Sequence, residues 1–80
     1  MKFKKAIVKR IYGICSARGI MLNELANRAG ITPSTLYSMV AGAQRDVTVS
    51  TVKKLIDGLD MSVTDFFNDP LFENLEQELQ

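Results

Sequence analysis

The sequence predicts an all-α domain of five helices, closed by a short amphipathic helical extension. Three observations predict it. Apolar residues recur at spacings of three and four along most of the 80 residues, which is the stripe of one helical face. Capping residues and glycines punctuate those stripes at helical lengths. No stretch alternates apolar and polar residues with the period of two that a half-buried strand requires.

The first helix is expected over residues 3–18, where Phe3, Ile7, Ile11 and Ile14 form the stripe. Lys4, Lys5, Lys9 and Arg10 fall largely off that stripe and read as a solvated face. Gly13 is a weak choice inside a helix, costing about 1 kcal/mol relative to Ala. Gly19 suits a left-handed stop. A second, short helix over 21–29 turns Leu22, Leu25, Ala26 and Ala29 inward and is followed by Gly30. The third helix, 33–41, has the plainest start. Thr32 caps it, and Pro33 takes the first helical position, where its missing N–H is no loss. Leu36, Met39 and Val40 are its apolar side, and Gly42 ends it.

A loop then carries Gln44, Arg45 and Asp46. The fourth helix covers 49–59, capped by Thr48 or Ser50, with Val49, Val52, Leu55, Ile56 and Leu59 on its buried face. Ser62-Val63-Thr64-Asp65 resembles a capping box with Asp in place of Glu, and opens a short fifth helix carrying Phe66 and Phe67. Pro70 restarts the chain. Leu71, Phe72, Leu75 and Leu79 then give a last apolar stripe on an acidic helix. That stripe folds onto the chain's own body, pairs with a second copy, or does both; the balance favours self-packing with a contribution to a homodimer. Residues 1–69 thus form the main body, and 70–80 are an extension of the same domain.

Composition narrows the function classes. A hydrophobic content of 46% and a charged content of 24% fit a globular domain with a packed core. The chain has one cysteine and no histidine. An internal disulfide is impossible, and the usual zinc sites and Ser-His or Cys-His nucleophiles are missing. No enzyme, metal, cofactor or small-molecule ligand is expected. Cys15 reads as a small packed hydrophobe. The basic start resembles an export signal, but Lys9 and Arg10 interrupt its apolar run. No stretch is long enough to span a membrane, and the cytoplasm is the expected location.

The net charge of +1 hides a division. Residues 1–54 hold all ten bases against Glu24 and Asp46, a net +8, while residues 55–80 hold seven acids and no base. A basic half of this kind suits an anion such as DNA, and the acidic end suits repulsion of DNA or a protein contact. Two solvated faces would produce the same pattern.

Two short helices joined by a three- or four-residue turn containing Gly form the helix-turn-helix layout, whose second helix enters the major groove. Here the turn centres on Gly30-Ile31. Leu25-Ala26, Ala29-Gly30, Ser34-Thr35-Leu36, Gly42 and the Leu59-Asp60-Met61-Ser62 turn together resemble the lambda-repressor-like, or XRE-type, regulators of bacteria and phage, over about residues 7–67. The resemblance implies a five-helix fold that binds double-stranded operator DNA, commonly as a two-fold dimer. It puts base reading at Thr32, Pro33, Ser34 and Ser38, with Tyr37 nearby. It puts phosphate contacts at Met21, Leu22, Thr35, Gln44 and Arg45.

The sequence departs from the family in two places. Members often carry Ser or Thr and then Gln where Met21 and Leu22 stand. The reading helix also lacks the Arg, Lys, Asn and Gln that grip bases bidentately. A plain capping cluster is the rival reading of Thr32, Ser34 and Thr35, with base contact favoured by the resemblance. These departures sustain an alternative: the same fold as a protein-interaction module, or an antitoxin-like protein with weak DNA specificity, meeting a partner through Met21, Leu22, Tyr37 and Val40.

Overall fold

The computed structural model describes residues 1–41 and 47–79. Among them five α-helices follow one another: α1 (Phe3–Arg18), α2 (Leu22–Ala29), α3 (Pro33–Val40), α4 (Val49–Gly58) and α5 (Val63–Phe67). A 3-10 turn at Pro70–Phe72 comes next, and no strand occurs among these residues. The expected all-α, five-helix architecture is what forms. Helix limits agree with the sequence reading to about a residue; Ala41 and Leu59, expected as last helical residues, are C-caps.

Local chemistry sets the ends. The Thr32, Thr48 and Ser62 hydroxyls accept hydrogen bonds from the backbone N–H groups of Thr35, Thr51 and Asp65 at 3.0–3.2 Å. Each satisfies one of the orphan donors of a first turn. Gly19 and Gly30 stop α1 and α2 in the left-handed conformation, at φ 66° and 73°. There the N–H of Ile20 reaches the Cys15 carbonyl and that of Ile31 reaches the Ala26 carbonyl, as in a Schellman turn. After α4 the same work falls to Asp60, at φ 56°.

The core gathers Ile7, Ile11 and Ile14 of α1, Leu25 and Ala26 of α2, Leu36 and Met39 of α3, Leu55 and Ile56 of α4, and Leu59 and Phe66. These are the stripe residues. The main discrepancy is Val49, expected inward and in fact 86% exposed. It lies at the first position of α4 and borders an open groove instead of reaching the core. Helix α2 packs against both α3 and α4. The α4 contact is close enough that a Cβ on Gly58 would stand 3.1 Å from the Ala29 backbone nitrogen. Cys15 is buried as expected. Burial pushes its thiol pKa up, the Arg18 charge works the other way, and Glu24 adds to the rise.

The extension departs from expectation. It makes one 3-10 turn, in which the Asp69 side chain accepts from the Leu71 N–H at 2.9 Å, and the described residues beyond it are not helical. Two forces compete with a helix there. Phe72 is drawn into a cluster with Phe3, Phe66 and Phe67, its centroid 4.9 Å from that of Phe67. The Glu76 N–H then donates to the Met1 carbonyl at 3.0 Å. Against these, a short segment with only acidic charges has little intrinsic helical stability. Leu71 and Leu75 are half-buried, and Leu79 is 84% exposed.

Arg10 is also not the solvated base that its position off the stripe suggested. Its Nε donates to the Phe66 carbonyl at 2.8 Å, and its terminal nitrogens reach the Asp65 carbonyl at 2.9 Å and the Asp69 carboxylate at 3.1 Å. A guanidinium fork thereby fills the carbonyl end of α5, an end with no glycine cap.

Candidate nucleic-acid interface

Helix α2, the three residues Gly30-Ile31-Thr32 and helix α3 form one continuous unit. Leu25, Ala26, Leu36 and Met39 hold it to the core with exposures of 7% or less. With those side chains inward, α3 presents Pro33, Ser34, Tyr37 and Ser38 to solvent. Spacings of one, three and four residues place them on one face. The five expected base-reading residues thus share one exposed surface, with Thr32 at its entry. Ala41, one turn past Tyr37 and Ser38, is exposed as well and extends this face. The helical period carries that signal, although in the sequence Ala41 reads only as the end of the helix.

The hydroxyls at the start of α3 are partly engaged with one another. Thr32 Oγ1 lies 2.7 Å from Thr35 Oγ1 and 3.3 Å from Ser34 Oγ, and it accepts from the Thr35 N–H at 3.2 Å. Thr32 therefore caps the helix, and Thr35 is its bonding partner, whatever else they do. Tyr37 is 46% exposed. Between Pro33 and Val40 the helix carries no charged side chain, no Asn and no Gln.

Of the expected phosphate-contact positions, Met21 is the N-cap of α2. It offers no side-chain cap and is 72% exposed. Leu22 is half-buried and packs on the core. What this helix start presents to an anion is backbone N–H. Thr35 stands one turn into α3, and Gln44 and Arg45 lie outside the described residues. On the outer side of α2, Arg28 binds Glu24 at 2.7 Å, so its charge is largely balanced within the helix. No group of side chains suited to holding a metal ion occurs among the described residues. None of their helices is long and apolar enough to cross a membrane.

Comparison with known proteins agrees with this geometry. The chain superposes on a crystal structure of a prophage protein, Lp1 protein 11, with a TM-score of 0.78 and 26% identity, covering 94% of this chain and all of that one. It superposes on a point mutant of the restriction-modification controller protein C.Esp1396I with a TM-score of 0.73 and 19% identity, covering 80% and 82% of the two chains. The second likeness, at that identity, shows the fold alone. No curated protein sequence matches the chain. The family pattern of the Cro/C1-type HTH DNA-binding domain matches residues 10–70, which takes in α1 from Arg10 onward and the four helices after it. With the α2-turn-α3 unit in place and most of the chain matched, this protein belongs to the Cro/C1-type, or XRE-type, helix-turn-helix DNA-binding family.

Proposed function

We propose that the chain is a transcriptional repressor that binds duplex DNA with a sequence preference, α3 lying in the major groove. The observation that carries this reading is the single exposed face of α3, bearing Ser34, Tyr37 and Ser38 on a helix anchored by Leu36 and Met39. In this reading Thr32, Pro33, Ser34, Tyr37 and Ser38 meet base edges. The backbone at Met21 and Leu22, the Thr35 hydroxyl, Gln44 and Arg45 meet phosphates. A homodimer is part of the proposal. Of the stripe Leu71, Phe72, Leu75 and Leu79, Phe72 is committed to the chain's own aromatic cluster. Leu79 and the exposed parts of Leu71 and Leu75 are left to make the contact.

The test is selection from a random duplex library at near-physiological salt. Enrichment of an inverted repeat, with half-sites about one helical turn (~34 Å) apart, is the expected result. Arg45→Ala should weaken binding to every sequence and reduce the slope of log affinity against log salt by about 1. Ser34→Ala and Ser38→Ala should change the enriched sequence more than the overall affinity. An unchanged salt slope removes Arg45 from the phosphate set, and an unchanged sequence after both Ser variants removes them from the reading set.

One observation favours a second reading, a module that docks on a protein partner. An apolar groove of about 570 Å³ runs between α1, α4 and α5, bordered by Phe3, Ile7, Val49, Val52, Val63 and Phe67. Under that reading, binding to duplex DNA is weak, salt-sensitive and indifferent to sequence, and the library shows no enrichment.

A further inference from the structure

We infer that α3 reads the C5-methyl groups of thymine, so that the preferred DNA is recognised through methyl contacts on A·T pairs and not through bidentate hydrogen bonds. The inference rests on the DNA-binding reading above and specifies what that surface selects.

The base edges of the major groove leave few alternatives. Guanine is gripped bidentately by Arg or Lys, adenine by Asn or Gln, and the cytosine amino group by Asp or Glu. Helix α3 has none of these between Pro33 and Val40. Its polar groups there are hydroxyls, which accept or donate and so discriminate poorly between bases. Several of them are also occupied. Thr32 Oγ1 is bonded to the Thr35 N–H and the Thr35 hydroxyl, and lies 3.3 Å from the Ser34 hydroxyl.

What the face offers in quantity is carbon: the Pro33 ring, the Tyr37 ring and the Ala41 methyl, with the Thr32 methyl at its entry, all at exposed positions. The thymine methyl is the one base-edge feature of the major groove that apolar atoms recognise by themselves. The Thr32–Thr35 hydroxyl pair has a positioning role in this reading. By accepting from the Thr35 N–H and pairing with the Thr35 hydroxyl, the Thr32 side chain is held in place, so a contact through its methyl costs little further loss of freedom.

The test uses defined duplexes, so the operator need not be identified first. Affinity is measured for an alternating dA–dT duplex against its dA–deoxyuridine counterpart, which lacks only the methyl groups. It is then measured for a dG–dC duplex against its 5-methylcytosine form, which gains methyl groups at the equivalent groove position. The expected result is loss of about fourfold per contacted methyl in the first pair, the worth of burying one such group, and a gain in the second.

The variant Thr32→Ser keeps the hydroxyl, and with it the cap, but removes the methyl; it should lower both ratios by about fourfold, the worth of one such contact. Equal affinity within each pair, with salt-sensitive binding intact, overturns the inference while leaving the DNA-binding reading standing. A full ratio retained in Thr32→Ser overturns the assignment to that threonine. Absence of salt-sensitive binding to all four duplexes overturns the DNA-binding reading itself.

Discussion

Gly13 and Gly30 show how one residue type carries opposite meanings. Gly30 sits at φ 73°, inside the turn that joins α2 to α3. An L side chain there is strained by roughly 1–2 kcal/mol, so Gly30→Ala should lower the unfolding free energy by about that much. Gly13 lies inside α1 with nothing within 4 Å of where a Cβ would stand. Gly13→Ala should therefore raise stability by up to about 1 kcal/mol. Denaturant titration of the two variants checks both signs; an unstable Gly13→Ala would mean that α1 is not helical there. Cys15 gives a pH signature. Its thiol pKa is raised in the folded chain, mainly by burial, so the folded state holds this proton more tightly than the unfolded one. Stability from this source is complete below the ordinary thiol range and is lost as pH rises through the raised folded value. Melting temperature should fall less steeply with alkaline pH in Cys15→Ala than in the parent, although the variant starts lower for lack of the buried sulfur.

At the scale of elements, Arg10 ties α1 to α5 and to the start of the 3-10 turn. Its side chain is 19% exposed, shielded enough that three hydrogen bonds from a charged donor contribute appreciably. Arg10→Met keeps much of the apolar stem and removes the fork. The expected loss is about 2 kcal/mol, or roughly 10 °C in melting temperature for a domain of this size. Arg10→Lys should recover only part of it, since an ammonium cannot span both carbonyls and the carboxylate. A parent-like melting temperature in Arg10→Met would mean that the Phe cluster alone holds α5. The sequence pattern hid this role because the partners of Arg10 are 55 to 59 residues away. Helical spacing reports only which residues share a face.

At the scale of the whole molecule, the charge division along the chain is not a division in space. The acidic end folds back on the basic helix: Arg10 binds Asp69, and the amino group of Met1 binds Glu76 at 3.2 Å. Part of the apparent +8 of residues 1–54 is thereby balanced internally, which leaves less of it for an anion. The carboxylates of the acidic end also repel a polyanion from a distance. Replacing Glu73 and Glu78 by Gln should therefore tighten DNA binding at low salt, with the gain fading as the screening length drops below ~10 Å. Binding that is indifferent to these charges at low salt would place the tail well away from the DNA path.

The sequence by itself determined the five helices, because stripes, caps and left-handed glycines are local signals that agree with one another. It also determined the α2-turn-α3 unit and, Ala41 apart, the residues of the exposed α3 face, since a period of about 3.6 assigns sides once Leu36 and Met39 are buried. Only the tertiary structure decided how Arg10 is used, that Val49 stays outside, and why the last apolar stripe makes a single 3-10 turn instead of a helix. For Arg10 and the tail the deciding partner is distant in sequence: the carbonyl end of α5 for Arg10, the Phe cluster and the Met1 carbonyl for the tail. A local pattern can specify a helix and its faces, but which long-range contact outcompetes it is settled only when the chain has closed.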